Sequence, residues 1–362
     1  MAGIFTKLFG TKDQSVIGID IGASAIKVVE VYRAKGKAVL KTYGEIALGP
    51  YGGQKAGQAV KLTVEQAAQA LKDVMREADI KTTSAGIAVP MKSSMVTVFQ
   101  LPYMERKDIP NVVPNEARKY IPVPIGEVAL DWSVIPTFVD SGMEEKRPIE
   151  ILLVAIHNMV LSGLSSIVAE AGVAASFYEI EMFGSIRSLV DPNENRPMMI
   201  FDMGAGATKV YIVERGVVRE SHSISRGSQD ISLRIAQSMG IDFEYAEKLK
   251  RSYGGNSADH DKQIRDIADL ALEPIFTEAQ RVLLSFQKRY SRPIGGVILT
   301  GGGCALRGID AWAAKYFQAE VVVGRPFARL EAPAFLSDVL EMAGLEFAPA
   351  IGLALRKLQE AD

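Results

Sequence analysis

The chain contains an internal repeat whose two copies lie half a chain apart. Residues 20–31 and 202–213 align without a gap, at an offset of 182 positions in a chain of 362 residues. The copies are identical at seven positions. The shared residues include Asp20, Gly22 and Lys27 in the first copy and Asp202, Gly204 and Lys209 in the second. A repeat at a fixed offset indicates that the chain is built from two related halves.

Each copy reads as a strand, a glycine turn and a second strand, which in the first copy predicts strands over 16–22 and 25–33. An unpaired carboxylate inside such an apolar run costs several kcal/mol. Mg²⁺ prefers oxygen ligands and keeps several waters, and a glycine turn leaves backbone N–H groups free for an anion. The matched pair Asp20 and Asp202 therefore predicts a Mg²⁺-polyphosphate site between two hairpins, with the metal held through water. The alternative is that both are surface turn residues.

Composition and charge exclude several classes of protein. The net charge of −2 argues against a broad nucleic-acid surface, and the single cysteine excludes an intramolecular disulfide. The three histidines lie far apart in sequence, so no metal site of the histidine and cysteine type is expected. We also expect no transmembrane helix, because no run of about 18 apolar residues occurs, and no signal peptide.

Strand and helix patterns alternate along the chain and predict an α/β fold. Thr63 and Gln66 have the spacing of a helix capping box. Residues 84–175 are rich in proline and predict a small subdomain inserted into the first half, closed by a helix at about 158–172. A long helix near the end of the second half is expected to be disturbed at Pro274.

A third glycine turn, TGGGCALRG at 300–308, follows an apolar run. It is not a dinucleotide-binding fingerprint, because Leu306 stands where that pattern needs glycine. No stretch matches the Walker A pattern either. The two commonest nucleotide-binding motifs are therefore disfavoured.

Taken together, these motifs resemble those of the actin-like ATPase superfamily. The resemblance implies two related RNase H-like halves with a nucleotide cleft between them, and ATP and Mg²⁺ as ligands. By motif, the residues expected to bind the nucleotide lie in the first hairpin, the second hairpin, an A-E-x-x-K helix and the adenosine loop: Asp20, Gly22, Ser24 and Lys27; Asp202, Gly204 and Gly206; Glu247 and Lys250; Gly301, Gly302 and Gly303. Glu181 resembles the acidic position that in related ATPases orients the attacking water.

Residues 101–132 are similar to subdomain 1C of the FtsA and PilM group, and most similar to PilM, a cytoplasmic component of type IV pilus assembly. The implied subdomains are 1A at 1–83, 176–198 and 344–362; 1C at 84–175; 2A at 199–239 and 296–343; 2B at 240–295. The resemblance implies an ATP-binding scaffold, peripheral at the inner membrane. Its implied partners are the cytoplasmic tail of a PilN-like protein, held between 1A and 1C, and further pilus components.

Two other functions stay open at this point. One is an FtsA-like membrane tether, although the end of the chain has no basic, aromatic tail. The other is an active ATPase or small-molecule kinase, although no base for a hydroxyl substrate can be assigned and at most slow ATP hydrolysis is expected. Residues 1–14 carry apolar residues on one helical face beside two lysines, which fits either a membrane or partner contact or a locally packed terminus.

Overall fold

The computed structural model describes residues 15–136, 147–252 and 258–360. The strands in this part of the chain are β1 Val16–Ile21, β2 Ala25–Ala34, β3 Lys37–Ala47, β4 Ser84–Val89, β5 Ser94–Leu101, β6 Val128–Val134, β7 Ile149–His157, β8 Ala174–Ile180, β9 Met198–Met203, β10 Thr208–Glu214, β11 Val217–Ile224, β12 Gly296–Thr300 and β13 Val321–Val323. The helices are α1 Val64–Glu77, α2 Ile109–Ala117, α3 Asn158–Glu170, α4 Glu181–Leu189, α5 Ser228–Met239, α6 Phe243–Ser252, α7 Ala258–Tyr290, α8 Ile309–Phe317, α9 Ser337–Gly344 and α10 Ala348–Glu360.

Two five-stranded sheets have the same topology. The first has the order β3-β2-β1-β4-β8 and the second has the order β11-β10-β9-β12-β13. In each, the first strand pairs antiparallel with the second and parallel with a later strand: β1 with β2 and β4, and β9 with β10 and β12. The duplication predicted from the repeat is therefore confirmed, and the fold is the expected α/β arrangement of two related halves.

A third sheet, of order β5-β7-β6, carries the inserted region. It spans 94–157 and is therefore shorter than the predicted segment 84–175. The start of that segment, β4, pairs with β1 and β8 inside the first sheet. At its other end, Val168 of α3 and Val173 pack into the core of the first half. Composition could not reveal this, because the strand that continues the first sheet has the same apolar pattern as the strands of the insert.

Helix α10 packs closely against α4 and against β1. A Cβ placed on Gly352 of α10 would lie 1.8 Å from the carbonyl oxygen of Gly184 in α4. A Cβ on Gly18 of β1 would lie 1.8 Å from the carbonyl oxygen of Ala350. These small residues let α10 cover the first sheet at close range.

The capping box at Thr63 is confirmed, since its Oγ1 accepts from the N–H of Gln66 and the Gln66 side chain accepts from the N–H of Thr63. Helix α7 continues through Pro274, so this proline does not end the helix. Residues on both sides of Pro274 are buried in the core of the second half. The hypotheses for residues 1–14 lie outside the described residues. Within those residues, no helix has both the length and the apolar character needed to cross a membrane.

Candidate functional site

The two glycine hairpins face each other across the cleft. A Cβ on Gly206 of the second hairpin would lie 3.8 Å from the Cβ of Ala23 in the first hairpin and 3.2 Å from that of Ala59. The Ala59 N–H donates to Gln229 Oε1 of the second half at 3.0 Å, and the Val60 N–H donates to the Ala23 carbonyl at 3.0 Å. The fold thus brings two turns that are 182 positions apart in sequence into one site.

The hairpin aspartates and lysines occupy equivalent places in the two sheets. Asp20 lies opposite Lys27 in the β1–β2 register, and Asp202 lies opposite Lys209 in the β9–β10 register. Both carboxylates are buried, with exposed fractions of 7% and 6%. Burial, with Glu181 as a further contributor, raises the pKa of Asp20 to about 6. Burial also raises the pKa of Asp202.

The lysine of each hairpin has different partners in the two halves. Lys27 Nζ lies 3.4 Å from Glu346 Oε2 and 3.7 Å from Glu45 Oε1. Burial alone would lower the pKa of Lys27, but the nearby carboxylates of Glu346, Glu45 and Asp20 raise it, so the cation persists. Sequence reasoning did not identify Glu45, which lies in β3, or Glu346, which lies just before α10.

Lys209 contacts a residue of the opposite half. Its Nζ lies 2.8 Å from Glu181 Oε2 and 3.4 Å from Asp202 Oδ2. Burial would lower the pKa of Lys209, but the carboxylates of Asp202, Glu181 and Asp20 raise it well above its usual range. The other carboxylate oxygen of Glu181 accepts from the Met91 N–H at 2.8 Å. Glu181 therefore lies beside the predicted site, and each of its carboxylate oxygens accepts one hydrogen bond from the protein.

The glycine loop at 301–303 closes the second-half side of the site. Gly301 has φ +84°, and a Cβ there would lie 2.4 Å from Asp202 Oδ1. A Cβ on Gly302 would lie 2.7 Å from the Glu346 carboxyl carbon, and one on Gly303 would lie 2.5 Å from Met203 Cγ. Gly301 requires glycine, because its φ is positive and a Cβ there would also lie 2.5 Å from the Met203 carbonyl oxygen.

The A-E-x-x-K helix, α6, contributes a network of charged groups. Glu247 accepts from Ser232 Oγ at 2.5 Å and pairs with Lys250 at 2.7 Å and Arg251 at 2.8 Å. Burial would raise the pKa of Glu247, but Lys250 and its other donors lower it, so the carboxylate stays ionised. Burial lowers the pKa of Lys250. Arg251 is a member of this network that the sequence did not predict.

A cavity of about 730 Å³ lies between the first hairpin and α6. Its walls include Ser24, Glu45, Glu247, Arg251 and Glu346. Burial raises the pKa of Glu45 to about 7. Of the residues predicted to bind the nucleotide, Ser24 and Glu247 line this cavity, and Glu346 on its wall also contacts Lys27 of the first hairpin.

The groups in the cleft fit a polyphosphate with a hydrated cation. Asp20 and Asp202 supply two buried carboxylates without the third ligand of an all-protein cage. Among the described residues no group of three or more histidine, cysteine, aspartate or glutamate side chains is arranged to hold a metal. Mg²⁺ usually keeps several waters and uses one or two carboxylates beside substrate phosphates. Lys27 can supply a charge-assisted contact to phosphate.

A second concave site lies between the inserted sheet and the first half. We call this cavity of about 450 Å³ the inter-sheet groove. It is lined by Ala129, Leu130, Asp131, Trp132, Ser133, Leu152, Val154, Ile156, Leu161, Tyr178, Glu179, Ile180, Phe183 and Arg356. The sequence did not identify these residues, because they come from six separate elements.

Two edge strands border the inter-sheet groove. Within the described chain, β6 is at one edge of the three-stranded sheet and β8 is at one edge of the first sheet. Side chains alternate along β7, so Ile151 and Leu153 fill the core of the insert while Leu152 and Val154 face the groove half-buried. The groove thus combines an apolar floor with strand edges that can accept another strand.

The family model described as type IV pilus assembly protein PilM matches residues 18–358. Among curated proteins, the cell division protein FtsA of Staphylococcus epidermidis is 25% identical over 333 residues, covering 81% of this chain and 70% of FtsA. FtsA of Neisseria meningitidis is 24% identical over 316 residues, covering 76% of each chain.

Solved structures agree with this grouping. A PilM–PilN type IV pilus biogenesis complex matches with a TM-score of 0.79 and 26% identity, covering 95% of this chain and 98% of the other. MreB5 of Spiroplasma citri bound to AMPPNP matches with a TM-score of 0.56 and 14% identity, covering 97% and 98%. The second likeness shows the actin-like fold alone.

Proposed function

The chain belongs to the family of type IV pilus assembly protein PilM, and from this premise we propose that it is an ATP-binding scaffold. In this proposal the chain works in the cytoplasm and is peripheral at the inner membrane. It is held there by the cytoplasmic tail of a PilN-like protein, which occupies the inter-sheet groove. ATP with Mg²⁺ occupies the cleft between the halves.

One observation carries the nucleotide part of the proposal. The two hairpins of the repeat face each other, and each brings a buried aspartate and a lysine to the same cleft. Burial of two carboxylates is unfavourable unless a cation or cationic group compensates them. In the proposal, Asp20 and Asp202 hold hydrated Mg²⁺, Lys27 contacts phosphate, and the groups of α6 and the glycine loop hold the nucleoside.

Calorimetric titration with ATP and Mg²⁺ tests this assignment. We expect Asp20→Ala and Asp202→Ala each to weaken binding by at least tenfold, because few protein groups hold the metal. The exposed Asp310, in the first turn of α8, provides a matched control whose replacement by alanine leaves the affinity unchanged. Unchanged affinity in both cleft variants would refute the site.

The chemistry of the inter-sheet groove supports a peptide partner. Its floor is apolar, and its two edge strands offer backbone N–H and C=O groups to an extended chain. Glu179 is already paired with Arg187 and Arg356, whereas Asp131 is exposed at the rim. We therefore propose an extended tail with alternating apolar side chains and a basic residue near Asp131.

A binding titration with the tail peptide of a PilN-like protein tests the groove. Val154→Asp places a charge on the apolar floor and should weaken peptide binding by at least tenfold, with ATP binding retained. Val322→Asp is the control for a valine replaced by a charged residue outside the groove, since Val322 is exposed on β13, the edge strand of the second sheet. Equal peptide affinity in the two variants would show that the peptide binds elsewhere.

Removal of the inserted sheet gives a second test. A deletion of 84–175 would remove β4 and α3 from the first half, so the deletion should instead span 94–157. The ends of that segment are adjacent, because Ser94 pairs with Ile156 across β5 and β7, and a short glycine linker can join them. We expect the shortened chain to bind ATP and to lose the peptide. A folded shortened chain that binds the peptide at the original affinity would refute the placement.

A further inference from the structure

A groove between α7 and α8 lies apart from the two sites described above. Its cavity of about 800 Å³ is bounded by the first half of α7, by the loop before α8 and by α8 itself. We call it the α7–α8 groove. The described residues that line it differ from those that line the nucleotide cavity and the inter-sheet groove. A ligand bound there would therefore be additional to ATP and to the tail peptide.

The lining of the α7–α8 groove includes an aromatic side chain in a fixed orientation. Trp312 is half-buried, and its Nε1 donates to Asp269 Oδ1 at 2.8 Å. Its ring stacks on Tyr316, with the centroids 5.5 Å apart and the planes at 13°. Leu272 and Leu306 also line the groove. An aromatic residue held in this way loses little conformational entropy on binding, and such residues often dominate the affinity of protein interfaces.

Four exposed cationic side chains line the same groove. Lys262 and Arg265 lie on α7, Arg307 lies in the loop before α8, and Lys315 lies on α8. The Lys315 Nζ lies 5.3 Å from the centroid of the Trp312 ring, which is a cation–π distance. Within the described ranges, none of these four cations forms an ion pair with a carboxylate. The four charges therefore repel one another until an anionic group compensates them.

The balance of charge in the groove is positive, although the chain as a whole has a net charge of −2. Two acidic residues, Asp261 and Asp269, line the groove beside the four cations, and Asp269 already accepts from the Trp312 indole. Electrostatic complementarity therefore favours an anionic ligand, and the apolar part of the lining favours one that also carries apolar side chains. A groove between two helices is typical of the sites that bind an amphipathic helix.

We propose that the α7–α8 groove binds an acidic amphipathic segment of a partner protein. In this complex the segment lies as a helix in the groove. Its apolar face packs against Trp312, and its carboxylates pair with the four cations at the groove. The interaction goes beyond the proposed binding of ATP and of the tail peptide, and it gives the second half of the chain a protein-binding surface of its own.

The fluorescence of Trp312 provides a direct measurement of binding in this groove. The chain has two tryptophans, so Trp132→Phe leaves Trp312 as the only one. The probe is a synthetic helical peptide of about 15 residues, with leucine at every third or fourth position and glutamate elsewhere. The same pattern with lysine in place of glutamate is the control peptide. We expect the acidic peptide to shift the Trp312 emission saturably, to bind at least tenfold more tightly than the lysine peptide, and to weaken as salt is added.

Charge reversal on both walls of the groove tests which residues hold the peptide. Arg265→Glu combined with Arg307→Glu should weaken binding of the acidic peptide by at least tenfold and reverse the preference towards the lysine peptide. The two changes are combined because a single exposed ion pair contributes little. Arg281→Glu is the matched control, since Arg281 is an exposed arginine of the same helix that does not line the groove. Thermal unfolding shows whether each variant is folded. Should the reversed variant fail to fold, Arg265→Gln with Arg307→Gln removes only the charges and should weaken binding by at least threefold.

Three results with the peptides would overturn the proposal. One is a Trp312 emission that the acidic peptide leaves unchanged, and another is equal affinity for the two peptides. The third is an affinity for the acidic peptide that is the same in the folded double variant and in Arg281→Glu. Two further results would assign the groove to another occupant and also overturn the proposal. These are tighter binding of single-stranded DNA than of the acidic peptide, and a dimer of the parent chain that the double variant does not form.

Discussion

Replacement of Asp20 by asparagine should stabilise the nucleotide-free protein and weaken its binding of Mg²⁺-ATP. Asp20 is buried at the end of β1, and burial raises its pKa from 3.8 to about 6. The folded state therefore holds this proton more tightly than the unfolded chain does. Stability falls as the pH rises from about 4 to about 6, because the carboxyl must ionise in the folded protein.

The size of the effect follows from the shift in pKa. Each unit corresponds to about 1.4 kcal/mol, so the ionised Asp20 costs about 3 kcal/mol above pH 7. Asparagine cannot ionise and removes this cost. By the same relation, Asp20→Asn should raise the free energy of unfolding by only about 1 kcal/mol at pH 4.5, because Asp20 is already protonated in the folded parent.

Urea denaturation of the nucleotide-free parent and of Asp20→Asn at pH 7.5 and 4.5 measures both values, and calorimetry at pH 7.5 measures ATP affinity. Asp310→Asn is the control, because Asp310 is exposed and its replacement should give no pH-dependent gain in stability. Equal or lower stability of Asp20→Asn at pH 7.5 would refute the reasoning. So would a gain that does not shrink at pH 4.5.

Three further predictions concern the lysines, the glycine loop and a helix cap. Lys27→Ala should weaken ATP binding in calorimetry more than Lys209→Ala does, and equal losses would contradict the assignment of the halves. Gly301→Ala should destabilise the fold by more than about 1 kcal/mol, since the residue has φ +84° and its new Cβ would collide with the Asp202 carboxylate. Gly216→Ala, with φ +77° but nothing near the new Cβ, separates backbone strain from that collision in thermal unfolding. Thr63→Ala should cost about 1 kcal/mol in the same assay, and no loss would show that the cap contributes little.

The duplication and the first strands could be predicted from sequence because they depend on local pattern. The expected strands at 16–22 and 25–33 correspond to Val16–Ile21 and Ala25–Ala34. Alternation and a glycine turn fix a hairpin within a few residues, and Asp20 then falls opposite Lys27 with no help from distant parts of the chain. The capping box at Thr63 could be predicted for the same reason, because it depends on two residues three positions apart.

The bounds of the insert could not be predicted in this way. Strand β4 has the apolar pattern of the strands that follow it, and only its pairing with β1 and β8 assigns it to the first sheet. The continuity of α7 through Pro274 also depends on tertiary packing, because residues on both sides of the proline are buried in the core of the second half. Local pattern states what an element is but not which sheet it joins.

The sequence by itself determined the two hairpins, and their repeated aspartate, glycine turn and lysine led to the prediction that they bind a polyphosphate. Only the tertiary structure decided which partners those residues contact. Lys209 meets Glu181 of the other half, Lys27 meets Glu346, and edge strands β6 and β8 form a groove between them. The physical reason is distance along the chain. These partners lie tens to hundreds of residues apart, and the packing of two halves and an inserted sheet brings them together.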